Sequence, residues 1–531
     1  MEHNGRSLLA VMQRSGRGFC HTLVLALVFA LAPSARATIR YEVSLRQPRQ
    51  HLFHVRMEIP GVKPGEDVAM PAWNALYQIR DFASHLSDVE VARLSSGDAA
   101  AHFTVARELD KQDWSLETND PNSAGTQQDE AVTYSVEWNE AGPFSTQLDE
   151  HHAFINLAEI LMYVPDRRGE SVEVDFDDVP SGWRVVAELP PGAQADSFTA
   201  TSYDALVDAP VEAGKFDQFG FDNGGAHFRV VVDAREWDKA LLDEALHRIT
   251  GYELKLMGGP PFPEYTFIFH IGPYSDAGGG GMEHMNSTAI AATSTSSAAA
   301  VAAHEFFHAW NVKRIRPRSL EPADFSKEQY TRALWFAEGV TSTYAAYTLV
   351  RTGLWTREQF YSDLAAQISE LQSRPAREWQ SAEESSLDAW FEKYDDYNRP
   401  SRSISYYNKG QILGVMLDLA IRDATDNRKS LDDVMRRMNQ EYAKGGRYYD
   451  DSRGVLDVVN EVAGKDFNDL FSRFVSGTGE IPYDQFLSIA GLQLNLSTSP
   501  SGDVTAMIRE APHPTSRQRR IRDGILHGTT E

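Results

Sequence analysis

The stretch AAVAAHEFFHAWNVKRIRP, Ala299 to Pro317, contains two histidines four residues apart, with a glutamate directly after the first. Residues four apart lie one above the other on a helix, so the ring nitrogens of His304 and His308 can bind one metal ion. Glu305 would then lie close enough to a water molecule at the metal to act on it. The alternative interpretation is a buried helix whose histidines are core or cap residues.

A catalytic zinc site needs a third protein ligand and one open coordination position. The segment ALWFAEGVTSTYAAY offers Glu338 on a predicted helix. This carboxylate completes a set of two histidines and one glutamate, which suits a catalytic zinc ion. A solvated helix glutamate is the alternative. Ser342, one turn later, either supports a ligand or only bonds its own helix.

The first 37 residues have the features of an export signal. Arg14 and Arg17 precede the apolar run TLVLALVFALA, and Ala35 to Ala37 supply the small residues of a cleavage site. A retained anchor is the alternative. Cys20, the single cysteine, precedes the apolar run. The mature chain from Thr38 therefore lacks disulfides and must be stabilised by its core.

Length and charge limit the function further. The mature chain is too long for one compact core and suits two or three domains. The net charge of −25 disfavours binding to nucleic acid or to an anionic membrane surface. An aromatic content of 11% argues against disorder.

The chain divides by pattern into a β-rich part, a mixed part and a tail. Alternating segments such as IRYEVSL and HFRVVVDA predict a β-rich amino-terminal domain over residues 38–235. Residues 236–480 contain a buried strand, a glycine-rich turn at Gly278 to Gly281, and then mostly helices. The motif helix is predicted to begin at Ser296 or Ser297. Residues 481–531 form the tail.

These motifs resemble the glycyl aminopeptidase family of zinc metallopeptidases, a thermolysin-like group related to aminopeptidase N. The resemblance rests on HEFFHAWNVKRIRP, LWFAEGVTSTY, GGGGMEHMNS and SISYYNKGQILGVMLDLAIR, with weaker matches at MPAWNALYQIRDF and FINLAEILMYVP. It implies an α+β fold in which the β-rich domain precedes a thermolysin-like catalytic domain with a mostly helical lower lobe. It also implies one zinc ion per chain, held by His304, His308 and Glu338.

The resemblance assigns further roles. Glu283, beside Gly280 and Gly281, corresponds to the glutamate that binds the substrate's free amino terminus, although a flexible turn with a solvated glutamate is the alternative. Tyr407 corresponds to the tyrosine that stabilises the tetrahedral intermediate. The residues alone do not distinguish it from Tyr406 or from a packing role.

Three departures from the family pattern limit these assignments. The segment WNALYQIRDF lacks the usual Pro-Gly turn, and the serine- and alanine-rich sequence before the motif is unusually simple. Members commonly end in a PDZ domain, whereas the tail here predicts no barrel of strands, so we expect that domain to be absent or truncated and the tail to be mobile.

The cluster Lys313, Arg314 and Arg316 either complements the helix terminus or orients the site.

The sequence therefore predicts an exported, periplasmic or secreted, zinc aminopeptidase that acts on peptides with a free amino terminus. The family implies a preference for Gly or Ala at the first position. Nucleic-acid binding and stable membrane insertion after signal removal are not expected. Two alternatives remain: an endopeptidase of the same clan, and a non-catalytic binding protein on a relic zinc fold. An N-acetylated peptide distinguishes the first alternative from the aminopeptidase.

Overall fold

A computed structural model describes residues 38–74, 77–94, 101–117, 128–272, 279–500 and 504–528. The predicted export signal with Cys20, and Gly278 of the glycine turn, lie outside these residues. The described chain from Thr38 onward forms one compact unit. None of its described helices has the length and hydropathy of a membrane span.

The amino-terminal region is built from strands, as the alternating pattern predicts. In chain order they are β1 (Ile39–Gln47), β2 (Leu52–Val62), β3 (Asp67–Ala69), β4 (Leu86–Leu94), β5 (Thr104–Val105), β6 (Arg107–Glu108), β7 (Asp113–Ser115), β8 (Gln128–Glu137), β9 (Gln147–Leu148), β10 (His152–Ile155), β11 (Val172–Asp177), β12 (Arg184–Ala187), β13 (Ser197–Ala200) and β14 (Val211–Gly214). A short helix, α1 (Tyr203–Val207), precedes β14.

Three sheets organise these strands. The largest has the order β13-β11-β1-β2-β8-β4-β5, the second is β12-β14-β10-β9, and the third is β3-β7-β6. In β1 the alternate residues Ile39, Tyr41 and Val43 are all buried, because successive side chains of a strand point to opposite faces. One apolar face of each such strand therefore forms the core of this region.

A five-stranded sheet carries the second half of the molecule. Its strands are β15 (Asp217–Asn223), β16 (Ala226–Ala234), β17 (Glu264–Ile271), β18 (Gly280–Glu283) and β19 (Ser287–Ala292). The order is β15-β16-β17-β19-β18, with β16, β17 and β19 parallel and the two edge strands antiparallel to their neighbours. The predicted domain limit at residue 235 falls after β16, whereas β15 and β16 hydrogen-bond within this second sheet.

Helices pack on this sheet and continue to the end of the described chain. They are α2 (Lys239–Met257), α3 (Thr295–Glu305), α4 (Thr341–Arg351), α5 (Arg357–Gln372), α6 (Ala382–Leu387), α7 (Tyr406–Ala424), α8 (Leu431–Met438), α9 (Asp451–Ala463), α10 (Asn468–Leu470), α11 (Tyr483–Ile489) and α12 (Ser516–His527). The mixed α+β architecture, β-rich first and helical later, agrees with the prediction.

The tail packs against the helices instead of extending freely. It forms a hairpin of β20 (Leu492–Thr498) and β21 (Val504–Glu510), followed by α12. Ile521 and Ile525 on α12 are buried in the core that the helices share, and Arg351 of α4 donates a hydrogen bond to the Ile525 carbonyl. The expectation of a mobile tail therefore does not hold for the described residues, because apolar side chains fix α12 to the molecule.

A buried cluster of ionisable side chains joins the amino-terminal region to the second sheet. Glu212 on β14 is fully buried, and its two oxygens lie 3.0 Å from Nδ1 of His152 and 2.9 Å from Nε2 of His270. Asp233 lies 3.6 Å from His152 Nδ1. Burial alone would lower the pKa of His152, but the charge and hydrogen bond of Glu212 and the charges of Asp233 and Asp149 raise it to about 9.

The raised pKa of His152 predicts that the free energy of unfolding decreases at alkaline pH. The pKa of His152 in the folded protein exceeds the ordinary histidine value of about 6.5. The interaction between His152 and Glu212 therefore stabilises the protein fully below pH 6.5 and loses its contribution as pH rises through about 9. Two to three pKa units correspond to about 3 kcal/mol. We expect His152→Gln to lower the urea midpoint at pH 6 and to have much less effect near pH 10.

The matched control for this prediction is His102→Gln, at an exposed position. Its midpoint should follow that of the unsubstituted protein at both pH values. A loss of stability in His152→Gln that is equal at pH 6 and pH 10 would show that packing, not the charge on His152, accounts for it.

Candidate active site

The motif helix α3 begins two or three residues earlier than predicted. Ser294, not Ser296 or Ser297, is its N-cap: its hydroxyl accepts from the Ser297 N–H, and the Ser297 hydroxyl accepts from the Ser294 N–H. Ala298, Ala302 and Ala303 are almost completely buried. The simple alanine-rich sequence thus has a structural reason, because small side chains let this helix pack closely against its neighbours.

The two histidines converge although only the first lies in the α-helix. The helix ends at Glu305, and a 3₁₀ turn, Phe307–Ala309, contains His308. The Nε2 atoms of His304 and His308 are 3.0 Å apart. The spacing of four residues therefore still places both rings at one point.

Glu338 reaches the same point from a distant element. It lies in a π-helical segment, Trp335–Val340, that leads directly into α4, where the sequence predicted an ordinary helix. One carboxylate oxygen of Glu338 is 3.1 Å from His308 Nε2 and 3.5 Å from His304 Nε2. Such wide turns are often found at functional sites.

The three atoms fit the coordination of zinc. Zinc bonds to nitrogen and oxygen of about 2.0–2.1 Å in tetrahedral geometry require ligand atoms about 3.3 Å apart. The separations here are 3.0, 3.1 and 3.5 Å. Nδ1 of His308 faces the Asn311 carbonyl at 2.5 Å, and a ring N–H that donates there leaves Nε2 free to bind a metal.

The ring of His304 has a second polar neighbour. The Ser342 hydroxyl lies 3.3 Å from His304 Nδ1 and also 3.1 Å from the Glu338 carbonyl, to which it donates. Both readings of this serine from the sequence therefore apply, since it bonds its own helix and contacts a candidate ligand.

Glu305 lies beside the histidines and against β18. Its side chain is buried, and one carboxylate oxygen has no hydrogen-bond partner among the described residues. A Cβ added to Gly281 would lie 2.3 Å from Glu305 Cγ, so any larger residue at this position would displace the Glu305 side chain. Burial raises the pKa of Glu305 to about 8, and the charges of Glu283 and Glu338 also favour its protonated form.

Glu283 ends the edge strand β18, close to the same centre. Glu283, Glu305 and His308 each offer a ligand atom within 4.8 Å of the others. Among the described strands β18 pairs with β19 alone, so its outer edge can accept an extended peptide. Gly280 lies against Phe144 of the amino-terminal region, whose ring would be 3.3 Å from an added Cβ.

The two adjacent tyrosines occupy different environments at the start of α7. Tyr407 is 41% exposed and its ring centre is 6.2 Å from that of His304, whereas Tyr406 is buried and bonds Glu392 at 3.4 Å. Although the side chain as a whole is partly exposed, desolvation of its phenol group and the charge of Glu338 raise the pKa of Tyr407 well above its usual value, so the phenol stays protonated. The structure therefore places Tyr407, not Tyr406, on the accessible side near the histidines.

The basic cluster after the motif connects parts of the molecule. Lys313 forms a 2.6 Å ion pair with Asp208 of the amino-terminal region, and Arg316 pairs with Glu321 at 2.8 Å. Arg314 donates to the carbonyls of Met285 and Ala309. All three line a cavity of about 550 Å³ that also includes Glu283. Among the described residues, these cations contact other protein groups and not the three candidate ligands.

The cluster around Glu212 differs from the candidate metal centre, although it too combines two histidines with a glutamate. At the centre, one Glu338 oxygen faces both histidines, whose Nε2 atoms are 3.0 Å apart. At Glu212, each histidine faces a separate oxygen. The first arrangement converges on one point, whereas the second is that of a carboxylate hydrogen-bonded between two rings.

Other structural contributors were not found from the sequence. An added Cβ at Gly339 would lie 2.4 Å from Gly410 Cα, so two glycines let the π-helical segment and α7 approach closely. Asn311 and Phe144 also contact the site elements. Little in the sequence indicates these roles, because the residues act through contacts with segments far along the chain. A glycine inside a helix by itself only suggests close packing.

Comparisons with known proteins agree with this site. A family model for the M61 glycyl aminopeptidase matches residues 297–413, and a model for the M61 peptidase N-terminal domain matches residues 40–215. The chain belongs to the M61 glycyl aminopeptidase family. It is accordingly a zinc metallopeptidase of the aminopeptidase type. The two matches confirm the family and the enzyme class that the motifs predict. The amino-terminal match ends just before β15 begins.

Solved structures show the same architecture. An aminopeptidase N family protein from Idiomarina loihiensis is 25% identical, with a TM-score of 0.80 over 87% of this chain and 80% of that chain. An M1 zinc metallopeptidase from Deinococcus radiodurans is 15% identical, with a TM-score of 0.51 over 84% and 95% of the two chains. The latter similarity concerns the fold alone. A search of curated proteins gives no significant match.

Proposed function

We propose that this M61 peptidase removes single residues from the amino terminus of peptides. The observation that carries the proposal is the position of Glu283 at the end of an edge strand, within 4.8 Å of ligand atoms of Glu305 and His308. A carboxylate here can bind the substrate ammonium by a charge-assisted hydrogen bond. Only the first peptide bond would then lie over the reacting groups.

The candidate ligands His304, His308 and Glu338 would hold one zinc ion per chain. When bound, zinc polarises the scissile carbonyl and lowers the pKa of water. Glu305 would take the proton from the attacking water and deliver it to the leaving amine. The protonated phenol of Tyr407 would donate a hydrogen bond to the developing oxyanion.

The edge of β18 would align the substrate backbone. An extended peptide can add to an edge strand through main-chain hydrogen bonds, and the absence of side chains at Gly280 and Gly281 allows close approach. A mutant of the M1 zinc metallopeptidase from Deinococcus radiodurans, which is similar to this chain in fold, is bound to the substrate Tyr-Ser-Ala. This supports peptides as the substrate class here.

Acetylation of the substrate amino terminus tests the role of Glu283. A hydrogen bond to a charged group contributes on the order of 1.5–3 kcal/mol, or about ten- to a hundredfold in kcat/KM. We expect acetylated peptides to lose at least this factor and Glu283→Ala to lose a similar factor on free peptides. The two losses should not add, because they remove one shared contact.

Exposed Glu378 provides the matched control for Glu283→Ala. Glu378→Ala should leave kcat/KM unchanged on free and acetylated peptides. Internal cleavage of acetylated peptides at full rate, with no effect of Glu283→Ala, would instead establish the endopeptidase alternative.

We also propose a preference for Gly or Ala at the first position. The family description and the Phe144 ring beside Gly280 support a restricted space near the substrate amino terminus. The test compares kcat/KM for Gly, Ala, Leu and Phe amides of one chromophore. Faster cleavage of the Leu or Phe compounds would contradict this preference.

Export to the periplasm or the exterior rests on the sequence of the first 37 residues. Expression of the full chain, followed by amino-terminal sequencing of the protein outside the cytoplasm, tests it. A mature chain beginning at Thr38 is expected, whereas intact protein retained in the cytoplasm would contradict it.

A further inference from the structure

Asn311 lies between the two elements that carry the candidate metal ligands. It follows His308 by three residues, has no exposed surface, and contacts the π-helical segment that contains Glu338. It touches neither the candidate ligand atoms of Glu338 nor, in the proposed mechanism, the substrate. Its effect on the site must therefore act through other groups.

The backbone of Asn311 acts on His308. Its carbonyl oxygen lies 2.5 Å from His308 Nδ1 and 3.2 Å from the Thr341 hydroxyl. An N–H at Nδ1 that donates to this carbonyl fixes the ring orientation, and in the neutral imidazole it places the lone pair on Nε2, on the side of Glu338. The position of the Asn311 backbone thus sets the direction of one candidate ligand.

The side chain of Asn311 acts on the element of Glu338. Its amide nitrogen lies 3.0 Å from the Phe336 carbonyl, 3.4 Å from the Ala337 carbonyl and 3.1 Å from the Thr341 hydroxyl. A π-helical turn displaces the usual helical hydrogen bonds, and buried carbonyls need replacement donors. Asn311 supplies such donors at the two residues directly before Glu338.

The two histidines are held unequally. His308 is 1% exposed and its Nδ1 lies 2.5 Å from a buried carbonyl, whereas His304 is 17% exposed and its Nδ1 faces the Ser342 hydroxyl at 3.3 Å. The support through Asn311 is therefore the more restrictive of the two. It also spans the gap between His308 and Glu338, which come from separate elements.

We infer that Asn311 is a positioning residue that holds His308 and Glu338 at the separation required for tight zinc binding. This inference rests on the proposed zinc-dependent function. Groups that orient metal ligands typically change metal affinity by about 10- to 100-fold when removed. In Asn311→Ala the backbone carbonyl remains, but the donors to Phe336 and Ala337 are lost. We expect the zinc dissociation constant to rise by about that factor.

The experiment measures zinc affinity of the full protein by competition with a chromophoric chelator, together with kcat/KM at saturating zinc. The matched control is Asn439→Ala, because Asn439 is also buried and donates to a backbone carbonyl, that of Met257 at 3.0 Å, in another part of the protein. Its zinc affinity should remain that of the unsubstituted protein. Unchanged affinity in Asn311→Ala, or an equal loss in both variants, would overturn the inference.

A second variant decides the question if Asn311→Ala fails to fold. Thr341→Val keeps the side-chain shape but removes the hydroxyl that contacts both the backbone and the amide of Asn311. Weaker zinc binding with an unchanged unfolding midpoint supports the inference, whereas unchanged zinc binding overturns it. Failure of the unsubstituted protein to bind zinc or to cleave free peptides would instead contradict the proposed function.

Discussion

Glu305→Gln is expected to lower kcat by about 10²–10⁴-fold while zinc remains bound, since general acid–base catalysis typically contributes that factor. Glutamine keeps nearly the same shape but cannot accept and return a proton. Glu305 supplies none of the three ligand atoms that converge on the candidate metal position. The substitution therefore separates proton transfer from metal binding.

Steady-state rates and metal analysis of the same preparation check this prediction. The control is Glu378→Gln, an equivalent change at an exposed glutamate, which should keep both activity and zinc. Because the Glu305 side chain packs directly against Gly281, the larger Glu305→Phe would confuse displacement of the strand with loss of the base. Near-normal turnover in Glu305→Gln would assign the proton transfer to another group.

Loss of a candidate ligand should have an effect at least as large. In Glu338→Gln the carboxylate is replaced by a neutral amide, a poor zinc ligand, and the two histidines lose the opposite charge that they face. We expect no stoichiometric zinc after dialysis. Activity should fall by at least about 10³-fold, because the metal contributes several kcal/mol to transition-state stabilisation.

Chelation of the unsubstituted protein provides the comparison. Removal of zinc should abolish activity, and added zinc should restore it, whereas Glu338→Gln should recover little under the same conditions. Metal analysis should give about one zinc per chain in the active protein. Full activity after verified zinc removal would contradict the metal centre.

Several features follow from local sequence because they depend on neighbouring residues. The spacing of His304 and His308 brings their rings together whatever surrounds the motif, even though the α-helix ends at Glu305. Alternation predicts strands such as β1, where one face is buried. These interactions span a few residues, so composition and periodicity are sufficient to anticipate them.

Pairing between segments is different, because it depends on partners that the local pattern does not specify. The alternating sequence of β16 would suit either half of the molecule, and only its parallel pairing with β17 places it in the second sheet. The tail likewise contains no barrel pattern, yet Ile521 and Ile525 find a buried site on the helical region. Each outcome reflects apolar burial between segments far apart in sequence.

By itself, the sequence determined the histidine motif, the candidate third ligand, the family and the order of β-rich and helical parts. Only the tertiary structure decided that Glu338 lies on a π-helical turn, that Glu305 occupies the space left by Gly281, and that Tyr407 rather than Tyr406 faces the histidines. The physical reason is that these positions depend on distances of a few ångströms between distant segments. Close packing and buried hydrogen bonds set those distances, whereas residue type and spacing alone leave them open.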